Sequence, residues 1–115
     1  MTSREMADLA IKTLDAKKGR DITLIDIAEK SSFADFLVLA TGGSNRQVAA
    51  LTDDVEEAFA NEGQQPRSID GKNGTGWVLI DMGDILVNIF DEETRNKYSI
   101  EKVWGDCPIT RYTEE

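Results

Sequence analysis

The sequence predicts an α/β fold with a single mixed β-sheet of about five strands packed by helices. Two segments carry apolar residues at helical spacing, and the apolar runs between them have the length of strands. The order of the segments is helix, strand, strand, helix, three strands, helix. At 115 residues the chain is long enough for one compact domain and too short for two ordinary ones. We assign residues 1–104 to this domain and expect residues 105–115 to form a loosely held tail.

The first half of the fold begins with a helix over residues 2–18. Its apolar side chains fall on one stripe, and Thr2 with Glu5 forms the pattern of a capping box. Residues 22–27 and 36–41 follow as strands. The second of these, FLVLAT, is a continuous apolar run that is typical of a central strand.

A second helix is predicted over residues 44–62. Ser44 and Gln47 match a second capping box, and the acidic residues of the segment crowd its solvated side. A short strand over residues 66–69 follows. We place it at an edge of the sheet, because Pro66 cannot donate a hydrogen bond to a strand ladder.

Residues 76–90, GWVLIDMGDILVNIF, predict a β-hairpin with a two-residue turn at Gly83 and Asp84. Such a turn places side chains alternately on two faces, and a turn one residue longer would exchange those faces. The first face is wholly apolar and makes the core; its pairs are Met82 with Ile85, Ile80 with Val87, and Val78 with Ile89. The second face is mixed; its pairs are Asp81 with Leu86, Leu79 with Asn88, and Trp77 with Phe90.

This second face has two explanations. A short helix over residues 92–98 follows the hairpin and continues irregularly to Trp104. In the first explanation this C-terminal segment, with Tyr98, Val103 and Trp104, folds back and covers the face. In the second, Trp77 and its neighbours stay open as a partner site, because protein interfaces combine aromatic, aliphatic and acidic groups in this way.

Composition excludes several classes of function. The chain has 22 acidic and 13 basic residues, a net charge of −9 and no histidine. Phosphate backbones repel such a chain, so we expect a basic protein partner and no direct sequence-specific nucleic-acid binding. No apolar run approaches the roughly 20 residues that span a bilayer. The N-terminus lacks signal-peptide features and the single cysteine allows no disulfide framework, so we expect a cytoplasmic protein without membrane contact.

Catalytic residues, metal sites and cofactors are not predicted. Without histidine the chain has no histidine base and no Ser–His pair. Asp81, Asp84 and Asp91 lie near strand ends, where carboxylates can hold a hard metal ion. A turn explains Asp84 better, however, and the cap of the last helix explains Asp91 better. Cys107, in the expected tail, is a poor candidate for a nucleophile.

The turn TGGSNRQ, residues 41–47, is a weak candidate for an anion site. A strand leads through Gly42 and Gly43 to a helix start at Ser44, where free backbone N–H groups can hold an anion and Arg46 would assist. The pattern is neither a Walker loop nor the full dinucleotide fingerprint, and tight turns need glycine for their own reasons. A nucleotide-binding or nucleotidyltransferase-like enzyme that uses this turn is the alternative function.

Short motifs run from about Glu5 to Trp104 in a familiar order. Those of the first half are Asp26, Ser31-Ser32, Ala34-Asp35, the strand from Phe36 to Ala40, Thr41-Gly42, Ser44, Arg46 and Gln47. Those of the second half are Trp77, Asp81, Gly83-Asp84, Tyr98 and the run Ile100-Glu101-Lys102-Val103-Trp104. With these motifs the chain resembles the ribosomal silencing factor family, also called the Iojap or YbeB family. It departs from the family at Asn88, where histidine is common, and asparagine cannot take the place of a charged imidazole because it is not protonated near neutral pH.

The resemblance implies a nucleotidyltransferase-like topology without the catalytic acidic pair, and no enzymatic activity. It implies a translation repressor that binds the large ribosomal subunit through that subunit's ribosomal protein fourteen. Bound there, the repressor would sterically block joining of the small subunit and lower translation when nutrients are short. A homodimer of the free protein through the same exposed face stays open as an alternative.

The two lines of reasoning meet at the second face of the hairpin. We expect Trp77 to be the apolar anchor, since tryptophan dominates interface hot spots. Asp81 or Asp84 would pair with a lysine or arginine of the partner. The remaining expected partner-binding residues lie on the same face or on the final helical segment and are Leu79, Leu86, Asn88, Arg95, Tyr98 and Lys102.

Overall fold

The computed structural model of the protein describes residues 1–112 and confirms the α/β class. The helices within this range are α1 (Ser3–Ala16), α2 (Asn45–Asn61), α3 (Glu92–Tyr98) and α4 (Ile100–Val103). The strands are β1 (Arg20–Asp26), β2 (Phe36–Gly42), β3 (Ser68–Asp70), β4 (Trp77–Asp81), β5 (Ile85–Asp91) and β6 (Ile109–Tyr112).

The strands form one mixed sheet in the order β3-β4-β5-β2-β1-β6. β2 and β5 run parallel, and every other neighbouring pair is antiparallel. The predicted central position of β2 and the edge position of β3 are both confirmed. Parallel pairing of β2 with β5 requires a long crossover, which α2 and the following segment supply.

The two long helices begin as their sequences predict, with one difference. Thr2 and Glu5 form the complete capping box of α1. Ser44 caps α2 by accepting a hydrogen bond from the backbone N–H of Gln47 at 3.1 Å. The side chain of Gln47 does not return this bond, because it accepts from the backbone N–H of Gly43 instead. No helix within residues 1–112 is long and apolar enough to cross a membrane.

The helices α1 and α2 pack on one face of the sheet and close the main core. The hairpin register is confirmed at every predicted pair from Trp77–Phe90 to Asp81–Leu86. All six predicted core-face side chains of the hairpin are buried in this core. The largest fully buried side chains there include Leu14, Leu51, Phe59, Ile80 and Ile85.

The sheet has one strand more than predicted, and the prediction of a loosely held tail is wrong for residues 109–112. These residues form β6, which pairs with β1 and places Ile109 opposite Ile25. Without β6, the backbone of the long strand β1 would be an unpaired edge, which is a ready site for aggregation. Residues 113–115 of the predicted tail lie outside the described residues.

Candidate protein-interaction surface

The second face of the sheet is covered over one half and partly open over the other. The segment from α4 to β6 crosses β1 and β2, where Trp104 and Cys107 pack with Ile25, Leu37 and Leu39 in a second core cluster. Val103, expected to help cover the face, is 70% exposed. The C-terminal segment therefore covers β1 and β2, as the first explanation expects, but leaves the hairpin partly open.

The open part forms what we call the hairpin patch, composed of Trp77, Leu79, Leu86 and Tyr98. The first three are half-buried and Tyr98 is exposed. A groove of about 340 Å³ beside the patch is lined by Trp77, Leu79 and Tyr98 together with Thr94 and others. The structure thus brings together four of the residues predicted from the sequence.

Trp77 is held in one orientation by three neighbours. Its ring lies 5.1 Å from that of Phe90 and 5.2 Å from that of Tyr98, measured between centroids. Its indole Nε1–H donates a hydrogen bond of 3.0 Å to Oδ1 of Asn88. A ring that is already ordered loses little conformational entropy when a partner covers it.

Asn88 does not contribute to the surface, contrary to the prediction. It is only 4% exposed and lies beneath the indole of Trp77. Its Nδ2 donates to the backbone carbonyl of Leu86 at 3.4 Å. Both ends of the amide are therefore engaged within the hairpin, and Asn88 orients Trp77.

Arg95 was also predicted to extend the patch, and it too is buried, with 6% of its surface exposed. Its guanidinium donates to the hydroxyl groups of Thr41 at 3.0 Å and Thr23 at 3.1 Å. It also forms a 3.1 Å ion pair with Glu101 of α4. A buried guanidinium needs such partners, and those of Arg95 tie α3 and α4 to the centre of the sheet.

Glu101 stays ionised within this cluster. Burial raises the pKa of its carboxyl, but the hydrogen bond and the charge of Arg95 act in the opposite direction. Arg111 of β6 adds a second contact at 3.4 Å. The net effect is a pKa below the ordinary value, so Glu101 links α3, α4 and β6 as an anion near neutral pH.

The two predicted acidic residues of the hairpin differ in role. Asp81 is half-buried, and its Oδ1 accepts a 2.8 Å hydrogen bond from the backbone N–H of Gly83, whose φ of 90° favours glycine. Asp84 is exposed, and its carboxylate has no ion pair within residues 1–112. Lys102 is likewise exposed, with no ion pair in that range. Asp84 and Lys102 are therefore available to a partner, whereas Asp81 already stabilises the turn.

The anion-site candidate at residues 41–47 is mostly occupied by its own side chains. The side-chain oxygen of Gln47 accepts a hydrogen bond from the backbone N–H of Gly43. The hydroxyl of Ser44 accepts one from the backbone N–H of Gln47. A Cβ on Gly42 would lie 3.0 Å from Val48, so close packing explains that glycine. Arg46 is exposed. Within residues 1–112 no group of three acidic or cysteine side chains is placed to hold a metal ion.

Sequence reasoning missed one exposed aromatic residue on this side of the molecule. Phe33, in the loop before β2, is 57% exposed, and its ring lies 6.4 Å from that of Trp104 in an edge-to-face arrangement. The available signal was an aromatic residue within the otherwise polar stretch EKSSF.

Comparison with known proteins finds relatives that match most of the chain. The model of a family described as "Ribosomal silencing factor during starvation" matches residues 1–115. Ribosomal silencing factor RsfS of Halalkalibacterium halodurans is 32% identical, over 94% of this chain and 92% of that protein. Mitochondrial assembly of ribosomal large subunit protein 1 of Mus musculus is 25% identical, over 84% of this chain and 44% of that protein.

A solved structure shows the same architecture. The crystal structure of a protein from Chromobacterium violaceum superposes with a TM-score of 0.88 and 36% identity, covering 91% of this chain and 88% of that chain. Agreement in fold is thus accompanied by sequence similarity along nearly the whole length. On these grounds the chain belongs to the ribosomal silencing factor family.

Proposed function

We propose that the protein is a cytoplasmic translation repressor that binds the large ribosomal subunit through its ribosomal protein fourteen. Bound there, it blocks joining of the small subunit. Membership of a family named for ribosomal silencing supports the role at the ribosome. The name of the mouse relative links that protein to the large subunit in particular.

The observation that carries the proposal is the half-exposed, oriented indole of Trp77 at the centre of the hairpin patch. Tryptophan side chains surrounded by aliphatic groups are typical hot spots of protein interfaces. Phe90, Tyr98 and Asn88 hold the ring before any partner arrives. A partner that covers the patch therefore gains apolar burial at a small entropic cost.

The charge of the chain favours a basic ribosomal protein as partner. A net charge of −9 attracts a basic surface at long range and raises the rate of encounter. The same charge repels ribosomal RNA, so direct sequence-specific RNA binding is not part of the proposal. Asp84, exposed at the tip of the hairpin, can pair with a lysine or arginine of the partner.

The mechanism is occlusion, with no enzymatic step and no cofactor. The protein and the small subunit compete for one face of the large subunit, and no covalent bond is made or broken. Inhibition therefore follows occupancy and is reversed by dilution or by excess free ribosomal protein. The alternative, a nucleotide site at residues 41–47, is less favoured because an anion would displace the side chain of Gln47 from Gly43.

Sedimentation with isolated large subunits, small subunits and intact ribosomes tests the proposal. The wild-type chain should pellet with free large subunits alone, and the Trp77→Ala variant should pellet with none. Arg46→Ala, in the alternative site, is the matched control and should bind as the wild type does. Failure of the wild-type chain to bind large subunits would refute the proposal.

A further inference from the structure

The turn end of the hairpin carries a second apolar feature beside the hairpin patch. Phe33 and Val103 are 57% and 70% exposed, although both are large apolar residues. Phe33 meets Trp104 edge to face, with ring planes at 63°. A loop before β2 and the end of α4, distant in sequence, thus form one surface element, which we call the Phe33–Trp104 pair.

This pair and the hairpin patch rest on the same core cluster. Trp104, Leu86 and Trp77 all pack from the outside against the same second core cluster. The loop that carries Phe33 is held to the hairpin turn by a 2.8 Å hydrogen bond from the backbone N–H of Asp35 to the carbonyl of Asp84. The pair and the patch therefore lie on the same side of the sheet.

The charges around the pair favour a basic protein as its occupant. The carboxylates of Asp35 and Asp84 have no ion pair within residues 1–112, so their charge is uncompensated there. The cation of Lys30 is neutralised by Asp106 at 2.8 Å. Lys102, beside Val103, is exposed and has no ion pair within residues 1–112, so one free cation offsets only one of these two free carboxylates. An apolar surface with free carboxylates complements a protein surface that carries lysine or arginine beside aliphatic groups, whereas it repels phosphate.

We propose that the Phe33–Trp104 pair is a second anchor for the basic ribosomal protein that the hairpin patch binds. This inference rests on the proposed function and enlarges its interface from the hairpin to the loop before β2. One partner surface spans the distance from Tyr98 and Trp77 at one end to Phe33 at the other. The exposed ring of Phe33 becomes buried only in the complex.

Affinity for isolated large subunits, measured by sedimentation titration of the full chain, tests the inference. Phe33→Ala should weaken binding about tenfold or more, as the loss of a hot-spot aromatic does. Phe33→Tyr keeps the ring and should bind nearly as the wild type does. Asn61→Ala, exposed at the end of α2 and neutral, is the control and should bind normally.

A charge comparison guards against an effect of Phe33→Ala on folding. Phe33→Lys and Phe33→Glu both remove the ring at an exposed site, but only lysine opposes a basic partner. Phe33→Lys should therefore bind more weakly than Phe33→Glu. Equal affinities of Phe33→Lys and Phe33→Glu would overturn the second anchor and leave the proposed function standing. Normal binding by Phe33→Ala, together with loss of binding by Trp77→Ala, would do the same. A wild-type chain that ignores large subunits would overturn both.

Discussion

The indole N–H of Trp77 and the side-chain oxygen of Asn88 are joined by a 3.0 Å hydrogen bond across the hairpin. They lie on the same face of neighbouring strands, because Asn88 is two residues from Phe90, the cross-strand partner of Trp77. The bond connects a buried residue to the half-exposed ring proposed to anchor the partner. A residue with no surface of its own can therefore affect binding.

The first prediction concerns Asn88→His, which replaces the amide beneath the indole with an imidazole. A neutral imidazole nitrogen can accept the hydrogen bond from Trp77, whereas an imidazolium cannot. The variant should bind large subunits normally at pH 8 and more weakly near pH 5.5. The loss of affinity between these two pH values should be larger for the variant than for the wild type. Equal pH dependence of the two dissociation constants would mean that this hydrogen bond does not control the indole.

Asp81→Asn separates the two roles expected of Asp81. The amide keeps an oxygen that can accept from the N–H of Gly83, so the free energy of unfolding in urea should change by only about 0.5 kcal/mol. Removal of the charge should slow association with the large subunit at low salt. Asp84→Asn, which leaves the turn bond intact, is the comparison. An unchanged association rate in both variants would exclude an electrostatic role for this turn.

Arg95→Met should destabilise the fold. The variant leaves two buried hydroxyl groups and the carboxylate of Glu101 without their main donor, at a cost of about 3 kcal/mol by urea unfolding. Lys102→Met, an exposed site on α4, is the matched control and should change stability by about 0.5 kcal/mol or less. If the two substitutions had similar effects, the buried cluster would not be what fixes α3 and α4 to the sheet.

The lowered pKa of Glu101 should make the free energy of unfolding depend on pH. Its pKa in the folded state is below the unfolded value of 4.5, so its contribution is fully present above pH 4.5 and is lost as the pH falls through the folded pKa. The difference in unfolding free energy between the wild type and Glu101→Gln should therefore shrink as the pH falls from about 5 to about 3. A difference that stays constant over this range would show that folding does not lower the pKa of Glu101.

The parts of the fold with strong local signals could be predicted from the sequence. The two-residue turn at Gly83 and Asp84 leaves one register for the hairpin, and the alternation of side chains then fixes both faces. β6 could not be predicted, because its four residues are too few to show the alternation of apolar and polar side chains that identifies a strand. Its pairing with β1 joins residues more than eighty positions apart, as in Ile25 and Ile109.

For the candidate site, the sequence predicts only which face of the hairpin each side chain lies on. Alternation places Asn88 on the same face as Trp77, but it does not show that the indole lies over Asn88. The helix α3 has seven residues, which is too short for periodicity to show which side meets the sheet. Arg95 was therefore placed outside, where arginine is usually found, although the hydroxyl groups of Thr23 and Thr41 provide buried partners for it.

Light scattering during the joining of isolated large and small subunits tests the central claim most directly. Preincubation of large subunits with the wild-type chain should lower the amount of joined ribosomes in proportion to occupancy, and Trp77→Ala should leave joining unchanged. Excess large subunits should restore joining. Normal joining in the presence of saturating wild-type chain would contradict occlusion as the mechanism, even if the chain remained bound to the large subunit.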